Sequence, residues 1–490
     1  MEPTMKALFA SVILAAGFAG AADLPKEEDY YPITILPIPE AVVLEASGLE
    51  MMPDGKLAVC GRRGNLYMVD QPLGKPGDMK FSLYADGLHE PLGLAAKDGW
   101  LYATQRGEVT RMKDTNGDGR ADQFETLNDG WGITGDYHEY AFGSRHDKDG
   151  NIWVVLCLTG SFNSNIDYRG WCVRVTPDGR LIPTASGIRS PGGIGLNHLG
   201  EVFYTDNQGP WNGSSSLKHL VPGSFQGHPD GFKWFDLPAV KAALGKAPVK
   251  PNTNSRMVAE RQRVKELVPP ACVLPHGKLG NSSSGFAFDG TGKFGPFKNQ
   301  LLVGDQTAST LSRVFLEKVN GVYQGAAILF RKGFGSGNLT VMMTPEGACF
   351  VGGTDRGWGA RGGKRFALER VNWTGKVPFE IHEMRAKPEG FELTFTHEVD
   401  AKSAADTASY AMEAYTYMYR ADYGSPEVDK ATPKVVKATV AADRRSVRLE
   451  VSGLVKGHVH ELRAAGVRSA AGLPLLHAEA YYTLNEIPAQ

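Results

Sequence analysis

No two cysteines in this chain stand in a CxxC spacing. Cys60, Cys157, Cys172, Cys272 and Cys349 are scattered, which excludes a zinc finger of ordinary spacing and a CxxCH haem site. Cys157 and Cys172 are near enough to pair across neighbouring strands in an oxidising compartment, and equally suited to being buried free thiols. Charge of one sign is missing too. The 53 basic residues balance 54 acidic ones, so nothing marks a nucleic-acid or polyanion partner. Beyond the N-terminus no apolar run is long enough to cross a bilayer. The one N-terminal run, Ala7 to Ala16, follows Lys6 and leads into Ala19, Gly20, Ala21 and Ala22. That is the pattern of a secretory signal peptide over residues 1–22, and it predicts a periplasmic or secreted protein.

Glycine is plentiful, at 59 residues, with 29 prolines, as in chains built from many short strands and turns. A unit recurs: an apolar strand, a turn such as Asp-Gly, a second apolar strand, a short turn, and a strand rich in Arg and Val. It starts at Ser47, Glu90, Glu139, Pro191, Ser283 and Gly337. Six such units predict an all-β, six-bladed β-propeller over residues 35–375, with seven blades as the competing count. Stacking blades around an axis buries faces that one blade alone cannot. Residues 236–275 read as an insertion with a short helix near residues 257–267. Residues 378–488 return to alternating strands and predict an Ig-like β-sandwich, a tether or binding module.

The sharpest local motif is DTNGDGRADQFE. Asp114, Asn116, Asp118, Gly119, Asp122 and Glu125 match D-x-[DN]-x-[DN]-G-x5-E, and Arg120 would offer its carbonyl. This predicts a structural calcium loop without flanking helices; an acidic turn without metal is the alternative.

Polar groups close several strands at comparable blade positions: Gln105-Arg106, His138-Glu139, Arg189, Asp206-Asn207-Gln208, Asp305-Gln306 and Asp355-Arg356. In a propeller such positions surround the channel mouth, which points to a shared site. Arg189 could instead pair with Asp206 as structure. Trp358 and Arg361 read as a mouth loop able to stack a sugar, or as a plain glycine-rich turn.

The stretch from Gly187 to Pro229 resembles the soluble glucose/sorbosone dehydrogenases. The residues that carry the likeness are Arg189-Ser190-Pro191, Gln208-Gly209-Pro210 and the Gly223 to Pro229 segment. The whole is similar to a membrane-bound dehydrogenase branch common in planctomycete and verrucomicrobial bacteria. The resemblance implies a six-bladed propeller that oxidises a carbohydrate or alcohol with pyrroloquinoline quinone (PQQ) and calcium, passing electrons to a periplasmic acceptor. It implies His138 as the base and Arg189 as its electrostatic partner. Gln105, Gln208, Gly209, Pro210 and Asp305 would hold the cofactor.

The sequence also departs from that family. Ser190 replaces its Asn, Leu158 or Thr159 stands where an Asp should orient the histidine, Thr307 replaces a Lys, and SGNLT replaces two Arg. Most of the positive charge that would hold the quinone carboxylates is thereby removed. Two alternatives therefore stand beside the dehydrogenase. One is a calcium-dependent hydrolase of the gluconolactonase type, with Asp206, Asn207 and Asp305 as possible metal donors. The other is a non-catalytic carbohydrate-binding or surface-binding protein.

Overall fold

Turn chemistry sets the hairpins. Asp98 and Gly99 take φ of 52° and 78°, the two left-handed positions of a type I′ turn, and join Leu94–Lys97 directly to Trp100–Thr104. The computed structural model describes residues 24–357 and 359–489. The signal-peptide expectation for residues 1–22 and the stacking expectation for Trp358 lie outside them.

Six blades of four antiparallel strands form the propeller, five as separate sheets and one as part of a longer sheet. Their innermost strands are Ala46–Met51, Leu94–Lys97, Ala141–Phe142, Pro191–Leu196, Ser283–Phe288 and Asn338–Met343. The ring closes on itself. The early strand Ile33–Ile35 pairs with Phe366–Asn372 and completes blade six, so no blade edge is left open at the seam.

The innermost strands are glycine-rich because they meet around the axis. A Cβ on Gly192 would stand 2.0 Å from the Ser283 carbonyl oxygen, and one on Gly93 would stand 2.2 Å from that of Gly143. What remains at the axis is a narrow cavity of about 30 Å³, lined by Gly48, Gly93, Gly143, Gly193, Gly285 and Thr340. Outside this ring, apolar side chains fill the space between blades, as Tyr102, Val109, Val154, Trp171 and Val173 do.

The insertion lies between the third and fourth strands of blade four, Ser216–His219 and Cys272–Val273. The expected helix is Met257–Arg263, and a second one, Pro238–Leu244, starts on a proline whose missing N–H costs nothing there. All five cysteines are buried free thiols, and Cys172 faces Val155 in register, so Cys157 and Cys172 stay apart.

The C-terminal strands make a β-sandwich around Met384, Phe391, Leu393, Val447, Leu449, Leu462 and Tyr482. It is no tethered module. Its strand Glu479–Leu484 pairs with the outermost strand of blade five, Val322–Arg331, so one eight-stranded sheet runs through both units. Buried Arg313 of blade five donates to the carbonyls of Ile381 (2.6 Å) and His382 (2.9 Å). His477 of the sandwich sits between Glu380 (2.6 Å) and Glu27 of the N-terminal segment (3.0 Å).

Candidate functional site

Antiparallel pairing brings the start of each innermost strand beside the end of the second strand. Pro191 lies opposite Asp206, Ser283 opposite Asp305, and Leu94 opposite Ala103. The polar clusters anticipated from sequence therefore share one face of the propeller. Their chemistry is mostly not that of a site.

Asp206 accepts from the backbone N–H of Ser190 (2.8 Å) and Arg189 (3.4 Å), from Tyr204 (3.0 Å), and from the Lys218 ammonium (3.1 Å). Asp305 accepts from the backbone N–H of Asn281 (2.7 Å), Ser282 (2.9 Å) and Ala308 (2.7 Å). Gln105 accepts from the His89 N–H and donates to Thr110 and Glu108. In each case a polar side chain ending the second strand satisfies N–H groups of the segment entering the same blade, groups that would otherwise be orphaned. Asp305 and Gln105, the expected cofactor ligands, act here as staples.

The Gln208-Gly209-Pro210 turn is also committed. The Gln208 carbonyl accepts from Arg189 Nη1 at 2.8 Å, and its side-chain amide donates to the Gly213 carbonyl at 3.1 Å. The Gly209 carbonyl accepts from Asn212 N (3.0 Å) and from Gly424 N (3.1 Å), the latter in a loop of the sandwich. Pro210 is buried, and the next residue, Trp211, donates to the Arg420 carbonyl at 2.7 Å. The Gln208 and Gly209 carbonyls thus already carry donors.

Arg189 is 4% exposed. Its Nε donates to the Ser161 carbonyl at 3.1 Å. The rings of Tyr423 and Phe162 lie 5.2 and 5.9 Å from its guanidinium carbon. A Cβ on Gly209 would fall 2.1 Å from that carbon, so glycine is required for the guanidinium to lie flat on the turn. Arg189 is a buried clamp under two aromatic rings, which corrects its expected position at the open mouth.

His138 does stand at the mouth, with about a quarter of its side chain exposed. Its backbone N–H donates to Asp136 Oδ1 at 2.8 Å, and its Nδ1 lies 3.9 Å from the same oxygen. Gly160 N also donates to that oxygen, at 2.8 Å. Partial burial pushes the histidine pKa down, Asp136 pulls it up, and Arg189 and Arg106 push it down again; the net shift is below the ordinary value. The downward shift favours the neutral ring, the form able to accept a proton. Asp136 stands where the strand-end position, Leu158 or Thr159, offers no carboxylate. Its only sequence signal was an acid two residues ahead of the histidine. Tyr137 flanks the imidazole with ring centroids 5.3 Å apart.

Where blades six, one and two meet stands a set of arginines, of which sequence reading placed Arg106 and Arg356 at the mouth but missed Arg62 and Arg63. Arg62 and Arg106 share Glu90, at 2.5 and 3.1 Å, while Arg63 and Arg356 share Glu45, at 3.3 and 3.2 Å. Arg106 also donates to the carbonyls of Asp136 and Tyr137, which fixes the loop that carries His138.

The acidic loop lies apart from this mouth. Asp114 accepts from the N–H of Gly117 and Gly119, Asn116 from Asp118 N, Asp118 from Arg120 N, and Asp122 from Thr115 N. Glu125 sits on the strand Gln123–Asn128 opposite Arg111 and pairs with it at 2.6 Å. Among the described residues no cluster of three or more His, Cys, Asp or Glu side chains could hold a metal. Asp114, Asn116, Asp118, Arg120, Asp122 and Glu125, the expected calcium ligands, share this loop, and the Glu125 carboxylate is held by the Arg111 guanidinium.

A family model described as "Domain of unknown function (DUF7133)" matches residues 77–327. No curated protein matches the chain. Among solved structures, the chain is similar to an oxidoreductase (glucose dehydrogenase) of Thermus thermophilus. That match has a TM-score of 0.49 and 20% identity and covers 70% of this chain and 99% of that one. The PQQ-bound aldose sugar dehydrogenase of Streptomyces coelicolor gives a TM-score of 0.44 and 16% identity, over 71% and 100% of the two chains. The apo-form soluble aldose sugar dehydrogenase of Escherichia coli gives 0.46 and 16%, over 70% and 99%. The family match runs from the outermost strand of blade one into that of blade five, over half of the chain, and the chain belongs to the DUF7133 family.

Proposed function

We propose that the propeller mouth acts on a carbohydrate or alcohol outside the cytoplasm, with His138 as the base that takes the hydroxyl proton. The observation that carries this reading is a partly open imidazole with the Asp136 carboxylate 3.9 Å from its Nδ1. As the imidazole gains the proton, the carboxylate beside Nδ1 stabilises its positive charge. Tyr137, Phe162 and Tyr423 leave 38%, 47% and 55% of their surfaces open, and such faces suit the C–H surface of a sugar ring.

Completing an oxidation requires a two-electron acceptor, which in the dehydrogenases that the sequence resembles is a calcium-bound quinone. The residues that the resemblance assigns to it do not fit: the Gln208 and Gly209 carbonyls hold donors, Asp305 and Gln105 are staples, and Arg189 is covered. No step is therefore routed through that group. The filled turn favours a second reading, carbohydrate binding without turnover. The lactonase alternative is weaker, because backbone N–H groups hold the carboxylates of Asp206 and Asp305.

A dye-linked oxidation screen of sugars and alcohols, run with a panel of soluble two-electron acceptors, tests the proposal. Turnover that falls by about 10²–10⁴-fold in His138→Gln, with sugar binding kept, supports it. Binding without turnover supports the second reading. Lactone hydrolysis with no oxidation overturns both.

A further inference from the structure

We propose that the pocket where blades six, one and two meet is an anion site that takes the carboxylate of a small acidic sugar. Two arginine pairs line it, and each pair shares one carboxylate: Arg62 and Arg106 on Glu90, Arg63 and Arg356 on Glu45. Each trio keeps one positive charge. Asp355 and Arg365, also in the lining, offset each other. The side chains that line the cavity therefore carry a surplus of two positive charges, with Asp136 near enough to act on Arg106, in a chain that is otherwise balanced.

Burial makes this surplus costly. Arg62, Glu90 and Arg106 are 5%, 8% and 6% exposed. A buried guanidinium without a full counter-charge is unfavourable until an anion supplies one. The hydrogen bonds record the same deficit. Arg106 Nε is buried and has no partner. Tyr140, which accepts from Arg62 at 3.2 Å, is no counter-ion, since burial first of all drives its pKa far up.

The pocket is also built rather than incidental. Arg62 Nη1 donates to the Arg356 carbonyl at 2.9 Å, and Arg356 Nη1 donates back to that of Arg62 at 3.5 Å. The two trios are thereby locked together where the ring closes. Guanidinium forks match carboxylate and sulfate oxygens in geometry. The cavity, about 660 Å³, is large enough for a monosaccharide. The link through Arg106 to the Asp136 and Tyr137 carbonyls sets the pocket beside His138. The sugar part of the assignment rests on the reading of the mouth given above; the anion site does not.

Titration calorimetry of the full chain with glucuronate, glucose and sodium sulfate at low ionic strength tests this without any need for turnover. Glucuronate should bind at least about ten-fold tighter than glucose, since one charge-assisted hydrogen bond is worth that much. Sulfate should displace it, and added salt should weaken it. Arg356→Ala should weaken it by about ten-fold or more, with Arg365→Ala as a second, solvent-exposed variant and thermal melts confirming that both fold. Equal affinity for glucose and glucuronate overturns the proposal, as does glucuronate binding that neither substitution alters. Sulfate binding without glucuronate binding overturns the acidic sugar. A binding-competent protein that oxidises nothing leaves the anion site standing and removes the catalytic reading of the mouth.

Discussion

The ring of Tyr423, carried by the C-terminal sandwich, lies 5.2 Å from the guanidinium carbon of Arg189, in the propeller. Phe162 stands beside it, with ring centroids 6.1 Å apart. Around this contact Gly424 N reaches the Gly209 carbonyl, Ser425 N reaches that of Gly213, and Tyr419 OH reaches that of Gly227. The sandwich therefore covers the one turn where the resemblance to quinone-dependent dehydrogenases is strongest.

Removing that cover should expose the arginine. Tyr423→Ala is expected to raise labelling of Arg189 by phenylglyoxal several-fold, read by mass spectrometry of the digested protein. PQQ titrated into the wild type should show no micromolar binding, and the variant should gain some. Unchanged labelling would mean that Phe162 and the Ser161 carbonyl shield the group by themselves.

The axis should not tolerate a methyl group. Gly192→Ala places a Cβ 2.0 Å from a backbone oxygen of the next blade, and backbone cannot swing away as a side-chain tip can. Overpacking of this kind costs about 1–3 kcal/mol, which denaturant unfolding would register. Gly200→Ala sits on an outer turn with open space around it. There only the left-handed φ of 77° opposes the change, and the loss should be smaller.

His477 makes stability depend on pH. Burial pushes its pKa down, but Glu380 and Glu27 outweigh this and hold it at about 9. Its contribution is complete below the unfolded value of about 6.5 and is lost as pH rises through about 9. Glu27, drawn down to about 2, contributes above its ordinary range and loses that contribution as pH falls toward 2. The melting temperature should be level near neutrality and fall on both sides. His477→Ala should lower it at pH 7 and flatten the alkaline limb.

Arg111 competes with any cation for Glu125. If the guanidinium keeps the loop from closing around calcium, the wild type binds the ion weakly, and Arg111→Gln should tighten binding. Calcium titration calorimetry of the two proteins checks this. Tight binding by the wild type would show that the carboxylate leaves Arg111 readily.

Much of the fold was legible before any coordinates. Period-two strands and Asp-Gly turns marked six blades, and the starts of the repeats fall within a few residues of the innermost strands. The helix Met257–Arg263 was visible, whereas Pro238–Leu244 was not, since a seven-residue helix leaves little periodic signal. At the site, His138 was expected at the mouth, and about a quarter of its side chain is exposed there. Arg189, Gln105, Gln208, Gly209 and Asp305 were legible as polar residues at a mouth, but not as residues already engaged. Whether a carboxylate faces a ligand or a neighbouring N–H is not encoded in residue type.

The sequence by itself determined what depends on neighbours along the chain: strand alternation, turn type, repeat number, and the glycines that let six strands approach an axis. The tertiary structure alone decided what depends on residues far apart. It brought Tyr423 over Arg189 and Gly424 onto the Gly209 carbonyl, and it set Arg62 against Arg356 across the closing seam. The reason is physical. Local structure follows from backbone sterics and side-chain periodicity over a few residues, but burial, charge balance and hydrogen-bond satisfaction are properties of the whole packed volume.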